Sequence, residues 1–344
     1  MKLLHSADWH LGAPLQGQDT QALRSDLAAL PEVIVDLALA EGCQLMLLAG
    51  DLFDGAPTAA DLAAVQRALA RANMPVFIAP GNHDPASLWP REGWPENVHI
   101  FRSATVESIA LPQLSCRVFG AAFTSGHSSP LLEGFRAEGS ERYALGLFHG
   151  DPTQADSPYN PISRSQVLES GLDYLALGHI HKVDSFRAGE TLCAWPGCAM
   201  GKGFDETGEK GALIVECEGV CNARFVPLAL PRFYSLTLSA TEDAYSALCA
   251  ALPAGSSRDH YRVTLVGESA PLDIDALTAR FPQLPNLQLR DQTTPPLPLW
   301  EGSGEDTLEG LYFSLLQQTD APEAIRQQAA RISRQILLGQ EVAL

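Results

Sequence analysis

Short apolar runs and longer amphipathic stretches alternate through the first hundred residues. "KLLHSAD" starts apolar and ends polar, which predicts a buried strand opening into a loop. "QALRSDLAALPEVIVDLALAEG" spaces its apolar residues as a helix does, with Pro31 marking a kink or a new helix start. "LMLLAGD" predicts a buried strand, "AADLAAVQRALARAN" a helix and "MPVFIAPGNHD" another strand. This β-α-β-α-β order predicts parallel strands with helices packed on the sheet. From about residue 97 the pattern becomes richer in strands: "VHIF", "TVESIAL", "CRVFGAAF", "YALGLFHG", "DYLALGHIH", "GALIVECEG" and "ARFVPLAL". Two sheets with helices outside accommodate both halves.

After "PLALPRF" the pattern changes. "FYSLTLSA", a helix "AYSALCAAL", a strand "HYRVTLVGE" and a helix "IDALTARFP" suffice for a small α/β module. "TTPPLPLWEGSG" reads as a linker, and two helical pieces end the chain. The predicted organisation is a first domain over 1–230, a cap over 231–292, a linker over 293–304 and C-terminal helices over 305–344. In the last helix Ile325, Ile332, Ile336 and Leu337 fall near one face. That face either docks on its own protein or receives a partner.

Composition narrows the class. No apolar run approaches a membrane span, and "MKLLHSADWH" turns polar too soon for a secretory signal, so a cytoplasmic location is expected. The cysteines, seven at irregular spacing, predict reduced, mostly buried thiols rather than a zinc site. A formal net charge of -18 excludes a broad basic face that coats nucleic acid, though not a local basic groove.

Candidate chemistry then concentrates at strand ends. "SADWH" supplies Asp8 and His10, "AGDLFD" Asp51 and Asp54, "PGNHD" Asn82, His83 and Asp84, "LFHGD" His149, and "GHIH" His179 and His181. His179 and His181, at i and i+2 of an extended segment, share a face. Mixed Asp, His and Asn donors suit divalent ions such as manganese or iron, and no cysteine takes part. The donors are too many for one ion and suit two, which a two-metal site holds ~3.5–4 Å apart. Asp51 is the natural bridge. Gly50, Gly81 and Gly178 stand where strands turn, free to adopt unusual angles and to let a phosphate approach. His5, His99, His127 and His260 read as structural.

The ordered set D-x-H, G-D-x-x-D, G-N-H-D, a lone His and G-H-x-H resembles the calcineurin-like metallophosphoesterase superfamily. "LLHSADWHLG", "LLAGDLFDGA", "LALGHIHK" and "WPGCAMGKGFDETGEKGALIVE" narrow it: within that superfamily the chain is similar to DNA repair exonucleases of the SbcD type, in the YhaO-like branch. The resemblance implies a four-layer αββα sandwich with a small α/β capping domain and a C-terminal helical tail. It implies that Asp8, His10 and His181 hold one metal, that Asn82, His149 and His179 hold the other, and that Asp51 bridges them. The metals would be manganese, with iron or zinc as alternatives, and a bridging hydroxide would attack the scissile phosphate. His83 would assist the leaving oxygen, Asp54 would orient His83, and Asp84 would cap the segment after its turn. The implied partners are DNA, at ends and in single-stranded or hairpin regions, an SMC-like ATPase of the SbcC or YhaN kind, and a second copy in a homodimer. The alternatives are a phosphodiesterase or phosphatase for cyclic nucleotides or other small phosphoesters, and a regulatory subunit with a vestigial site.

Overall fold

The computed structural model describes residues 1–241 and 243–339. In chain order its elements are β1 (Lys2–Ser6), α1 (Thr20–Ala40), β2 (Leu45–Leu48), α2 (Ala59–Arg71), β3 (Val76–Ile78), β4 (Val98–Ile100), β5 (Glu107–Leu111) and β6 (Cys116–Gly120). There follow β7 (Tyr143–His149), α3 (Arg164–Glu169), β8 (Tyr174–Gly178), β9 (Asp184–Ala188), β10 (Thr191–Trp195), β11 (Gly211–Glu218) and β12 (Val220–Pro227). The remainder holds β13 (Phe233–Ser239), α4 (Ala244–Ala251), β14 (His260–Glu268), α5 (Ile274–Ala279), β15 (Leu287–Thr294), α6 (Leu308–Gln318) and α7 (Glu323–Leu337).

The chain divides into two compact units. Met1–Ser235 with Arg258–Tyr261 form the first, and Leu236–Ser257 with the residues from Arg262 onward form the second. The first contains two six-stranded sheets, ordered β12-β11-β1-β2-β3-β4 and β5-β6-β7-β8-β10-β9. β1, β2, β3 and β4 run parallel, as do β6, β7, β8 and β10. Strand periodicity explains the layering. Leu45 and Leu47 face the core between the sheets with Leu3, Leu145 and Leu147, while Met46 and Leu48 face α1 and α2 with Leu27 and Ile34. Leu175 and Leu177 of β8 point to the far side of the second sheet, where they meet Val167 of α3. The result is the mixed α/β sandwich that the sequence predicts, with helix, sheet, sheet and helix in turn.

Local chemistry sets the helix boundaries. Asp19 caps α1 and Thr58 caps α2, each accepting a backbone N–H of the first turn. α3, too short to announce itself by periodicity, is fixed by a capping box between Ser163 and Gln166. α1 runs unbroken through Pro31, so the expected kink or new start does not divide it. Pro31 is buried with Leu30 and Ile34, and that packing holds the helix together despite the missing donor.

The cysteine expectation also needs correction. Cys217 and Cys221 form a disulfide. They are directly opposite in the antiparallel β11–β12 ladder, and Gly219, with φ 85°, makes the tight turn between them. Among the described residues the other cysteines are free, and Cys249 alone of these is exposed.

The second unit holds α4, α5 and most of the three-stranded sheet β13-β14-β15, whose first two strands begin in the first unit, followed by α6 and α7. β15 reaches Thr294, two residues into the segment read as linker. Several apolar side chains of the last two helices stay exposed, among them Leu308, Leu311, Leu315, Ile325, Ile336 and Leu337. Residues 340–344 of the expected C-terminal segment lie outside the described residues. Among the described residues no helix is long and apolar enough to cross a membrane.

Candidate metal centre

The predicted site residues all follow the carboxyl ends of parallel strands. Asp8 and His10 come after β1, Asp51 and Asp54 after β2, Asn82, His83 and Asp84 after β3, His149 ends β7, and His179 and His181 follow β8. Open sheets place ligands at this end, where loops fan out from a rigid frame. Here two sheets converge on one cluster.

The loops that carry these residues are strained. Asp8, His10, Asp51 and His179 have φ of 53°, 50°, 50° and 95°, a region that side chains other than glycine seldom enter. Backbone bonds enforce it: Asp8 N donates to Gly50 O at 3.0 Å, and His10 N to Asp51 O at 2.9 Å. Both Asp8 carboxylate oxygens accept from His179 N, at 3.0 and 3.1 Å, which ties the first loop to the last.

Asp84 has a different job from the one expected. Instead of capping the segment after its turn, its carboxylate accepts from Asp51 N, Leu52 N, Phe53 N and Gly81 N at 2.8–3.1 Å. It thus clamps the β2 loop to the β3 loop under Asp51. Gly50, with φ 86°, adopts the unusual angle expected of it. A Cβ on Gly81 would lie 2.2 Å from Asp51 Oδ1, and one on Gly178 would lie 2.0 Å from Ala49 O. At these two positions the neighbouring protein atoms leave room for hydrogen alone.

Donor atoms of Asp8, His10 and His181 all lie within 4.8 Å of one another, and so do those of Asp8, Asp51 and His149. Asp8 is common to both sets, and Asp51 also spans them, since its Oδ2 lies 3.9 Å from His10 Nε2. Asn82 Oδ1 is 2.9 Å from His149 Nε2 and 3.1 Å from His179 Nδ1, and His149 Nε2 is 3.3 Å from Asp51 Oδ2. His10 Nε2 and His181 Nε2 face each other at 3.1 Å. Opposed donors of this kind, buried beside two carboxylates, fit divalent cations. The residues that could hold them are Asp8, His10, Asp51, Asn82, His149, His179 and His181.

The electrostatics point the same way. Burial opposes charge on His149, but Asp51 and Asp8 outweigh it and push this imidazole up to about 9. Burial alone would raise Asp51; the positive field of His149, His10 and His83 instead holds it well below the usual carboxylate range. Burial and the neighbouring His149 push His179 down to about 4, and burial lowers His10. The buried carboxylates draw positive charge into the cluster, a role that metal ions would fill.

His83 and Asp54 form the outer edge. His83 is half exposed, and its Nδ1 lies 2.9 Å from Asp54 Oδ1, which is also 3.4 Å from His10 Nδ1. The hydrogen bond with His10, then that with His83, lowers the Asp54 carboxyl. His5 is remote in role: it is fully buried between Tyr174 OH and Leu177 O, and burial pushes it down to about 3.

Residues 1–183 match the calcineurin-like phosphoesterase family. The chain belongs to this family. Its relatives include the uncharacterized metallophosphoesterase YhaO of Bacillus subtilis (strain 168), 30% identical over 232 residues that cover 62% of this chain and 57% of that protein. They also include the SbcD component of the SbcCD nuclease of the same organism, 25% identical over 63% of this chain and 66% of that component. The aligned stretch thus spans under two thirds of either relative. A dimetal phosphatase from Danio rerio is a structural neighbour, with 14% identity, a TM-score of 0.44, and coverage of 65% of this chain and 96% of that one.

In this calcineurin-like phosphoesterase two contributors escape the sequence pattern. Glu206 is buried, with Oε1 2.6 Å from His181 Nδ1 and 2.9 Å from Lys202 Nζ, while Oε2 accepts Lys202 N at 2.8 Å. Burial would raise this carboxyl, but His181 and Lys202 hold it well below its usual range. A carboxylate on the far nitrogen orients a ligand histidine and raises its basicity. Cys198 lies within reach of the same pair, and burial pushes its thiol up to about 12. Glu206 falls within "GFDETGEKG", a stretch that signals the family without revealing its partner. Tyr159, whose ring is 4.9 Å from that of His179, carries no sequence signal at all.

Proposed function

We propose that this phosphoesterase is a two-metal phosphodiesterase of the manganese type acting on DNA, and that it works as the nuclease subunit beside an SMC-like ATPase. The observation that carries the reading is the pair of overlapping donor sets, Asp8, His10 and His181 with Asp8, Asp51 and His149. That geometry suits phosphoester hydrolysis, and the similarity to a component of the SbcCD nuclease favours DNA among phosphoesters. Bound divalent ions would supply Lewis acidity and an activated water. In this assignment Asp8, His10 and His181 take one ion, Asn82, His149 and His179 the other, and Asp51 both. Asp54 fixes the tautomer of His83, whose remaining nitrogen donates a proton to the leaving oxygen. The exposed leucines and isoleucines of α6 and α7 favour that segment as the ATPase seat.

Purified protein with manganese is expected to degrade DNA from defined ends, alone or with the ATPase. His83→Ala is expected to lower the rate by about 10²–10⁴-fold while metal content stays unchanged. Loss of metal in that variant would remove His83 from its assigned role. Efficient turnover of cyclic nucleotides with none of DNA would replace the substrate class.

A further inference from the structure

We propose that His127 and Tyr159 form a shelf that stacks a nucleobase beside the ligand cluster, so that the enzyme selects nucleotide esters over simple phosphoesters. The Tyr159 ring lies 4.9 Å from that of His179, tilted by 41°. The His127 ring lies 5.6 Å from that of Tyr159 and nearly parallel to it, at 13°. His127 is exposed and Tyr159 half-buried, so the row of rings leads from a proposed metal ligand to the open surface. The loop that carries His127 also borders Asn82: a Cβ on Gly126 would sit 3.9 Å from the Asn82 carbonyl. Both rings therefore flank the same side of the cluster, that of Asn82, His149 and His179.

The shelf is braced to that cluster. Ser128 N donates to Pro158 O at 3.0 Å, and Asn160 N to Ser128 O at 2.9 Å, which joins the two loops. The Asn160 side chain donates to His149 O at 2.8 Å and accepts from Leu131 N at 2.7 Å. Asn160 has φ 51°, a conformation kept in place by these bonds. An exposed imidazole on loops braced in this way, with its ring on a tyrosine, offers a flat surface. Every base has a π-face, so such a surface is sequence-tolerant. It also needs no positive charge, which suits a chain of net charge -18.

The inference rests on the nucleotide-ester reading above, and its test separates the two. Calorimetry on the manganese-loaded full chain would compare deoxyadenosine 5′-monophosphate with 2-deoxyribose 5-phosphate. The wild type is expected to bind the nucleotide about tenfold more tightly, a stacking-sized difference. His127→Ala and Tyr159→Leu are expected to erase that preference, and Tyr159→Phe to keep it, with metal content equal in all. A wild type without preference, or a preference that survives His127→Ala, would overturn the shelf. His127 stands at the surface, so its variant carries the test even if Tyr159→Leu fails to fold. A preference that disappears as expected in a protein that leaves DNA uncut would keep the shelf and overturn the DNA reading. DNA cleavage without any base preference would do the reverse.

Discussion

At the scale of single residues, the site depends on side chains outside the proposed ligand set. Glu206 holds His181 at 2.6 Å and is itself fixed by Lys202, so the imidazole arrives at the cluster with its tautomer decided. Glu206→Gln is expected to weaken manganese binding by about tenfold, and Glu206→Ala by up to about 100-fold, in a chelator competition titration. Unchanged affinity in both would show that His181 needs no orienting partner. Asp84 is different in kind, since four backbone N–H groups converge on it away from solvent. Asp84→Ala would orphan them at about 1–3 kcal/mol for each left unpaired. Urea denaturation should therefore show a loss of several kcal/mol even without metal. A loss under about 1 kcal/mol would mean that water replaces the carboxylate. The gathering of the donors expected at the metals was legible because each one stands at or just past the end of an apolar run. Glu206 and Asn160 were not, because their roles consist of contacts to His181 and His149 that only the folded loops create.

At the scale of elements, the strands of the first unit were readable from alternation and apolar runs, and the exceptions have physical causes. β9 is the edge strand of its sheet, with a mostly exposed, polar sequence, so its pattern resembles a loop. β10 is buried throughout but only five residues long, too short to separate from a helix fragment by period. No new helix starts at Pro31, because packing overrode a local breaker. The disulfide was hidden because cross-strand register, not spacing, brings Cys217 opposite Cys221. The strand ends are also where space is shortest. A methyl on Gly178 would meet Ala49 O at 2.0 Å, and that same oxygen lies 2.8 Å from His149 Nδ1. Gly178→Ala must push β8 away from β2 or displace the partner of His149. A cost of about 1–3 kcal/mol is expected from the overpacking, with metal loss in parallel. Thermal unfolding and metal analysis would check both, and a variant with wild-type Tm and full metal would show that the loops yield freely.

At the scale of the whole molecule, charge limits how this chain could meet the DNA proposed as its substrate. The formal net charge is -18, and two lysines beside the cluster are already engaged. Lys202 pairs with Glu206 at 2.9 Å, and Lys210 donates to His181 O at 3.3 Å. Lys182 is exposed beside His181. Nucleic-acid affinity that comes from phosphate neutralisation falls with salt in proportion to the phosphates engaged, with a slope of about -0.9 per contact on duplex DNA. A site with so few uncommitted cations engages few phosphates, so the slope for the chain alone should be no steeper than about -2. Fluorescence anisotropy with calcium in place of manganese, across a salt series, would measure it without cleavage. A slope of about -6 or steeper would show that far more phosphates are engaged than the cations beside the cluster can meet. Addition of the proposed ATPase partner should steepen the slope, because the phosphate contacts would then belong to the complex. If the slope stays shallow with the partner present, attraction must come from base stacking and the metals themselves, and the enzyme would act on short or frayed ends rather than along a duplex.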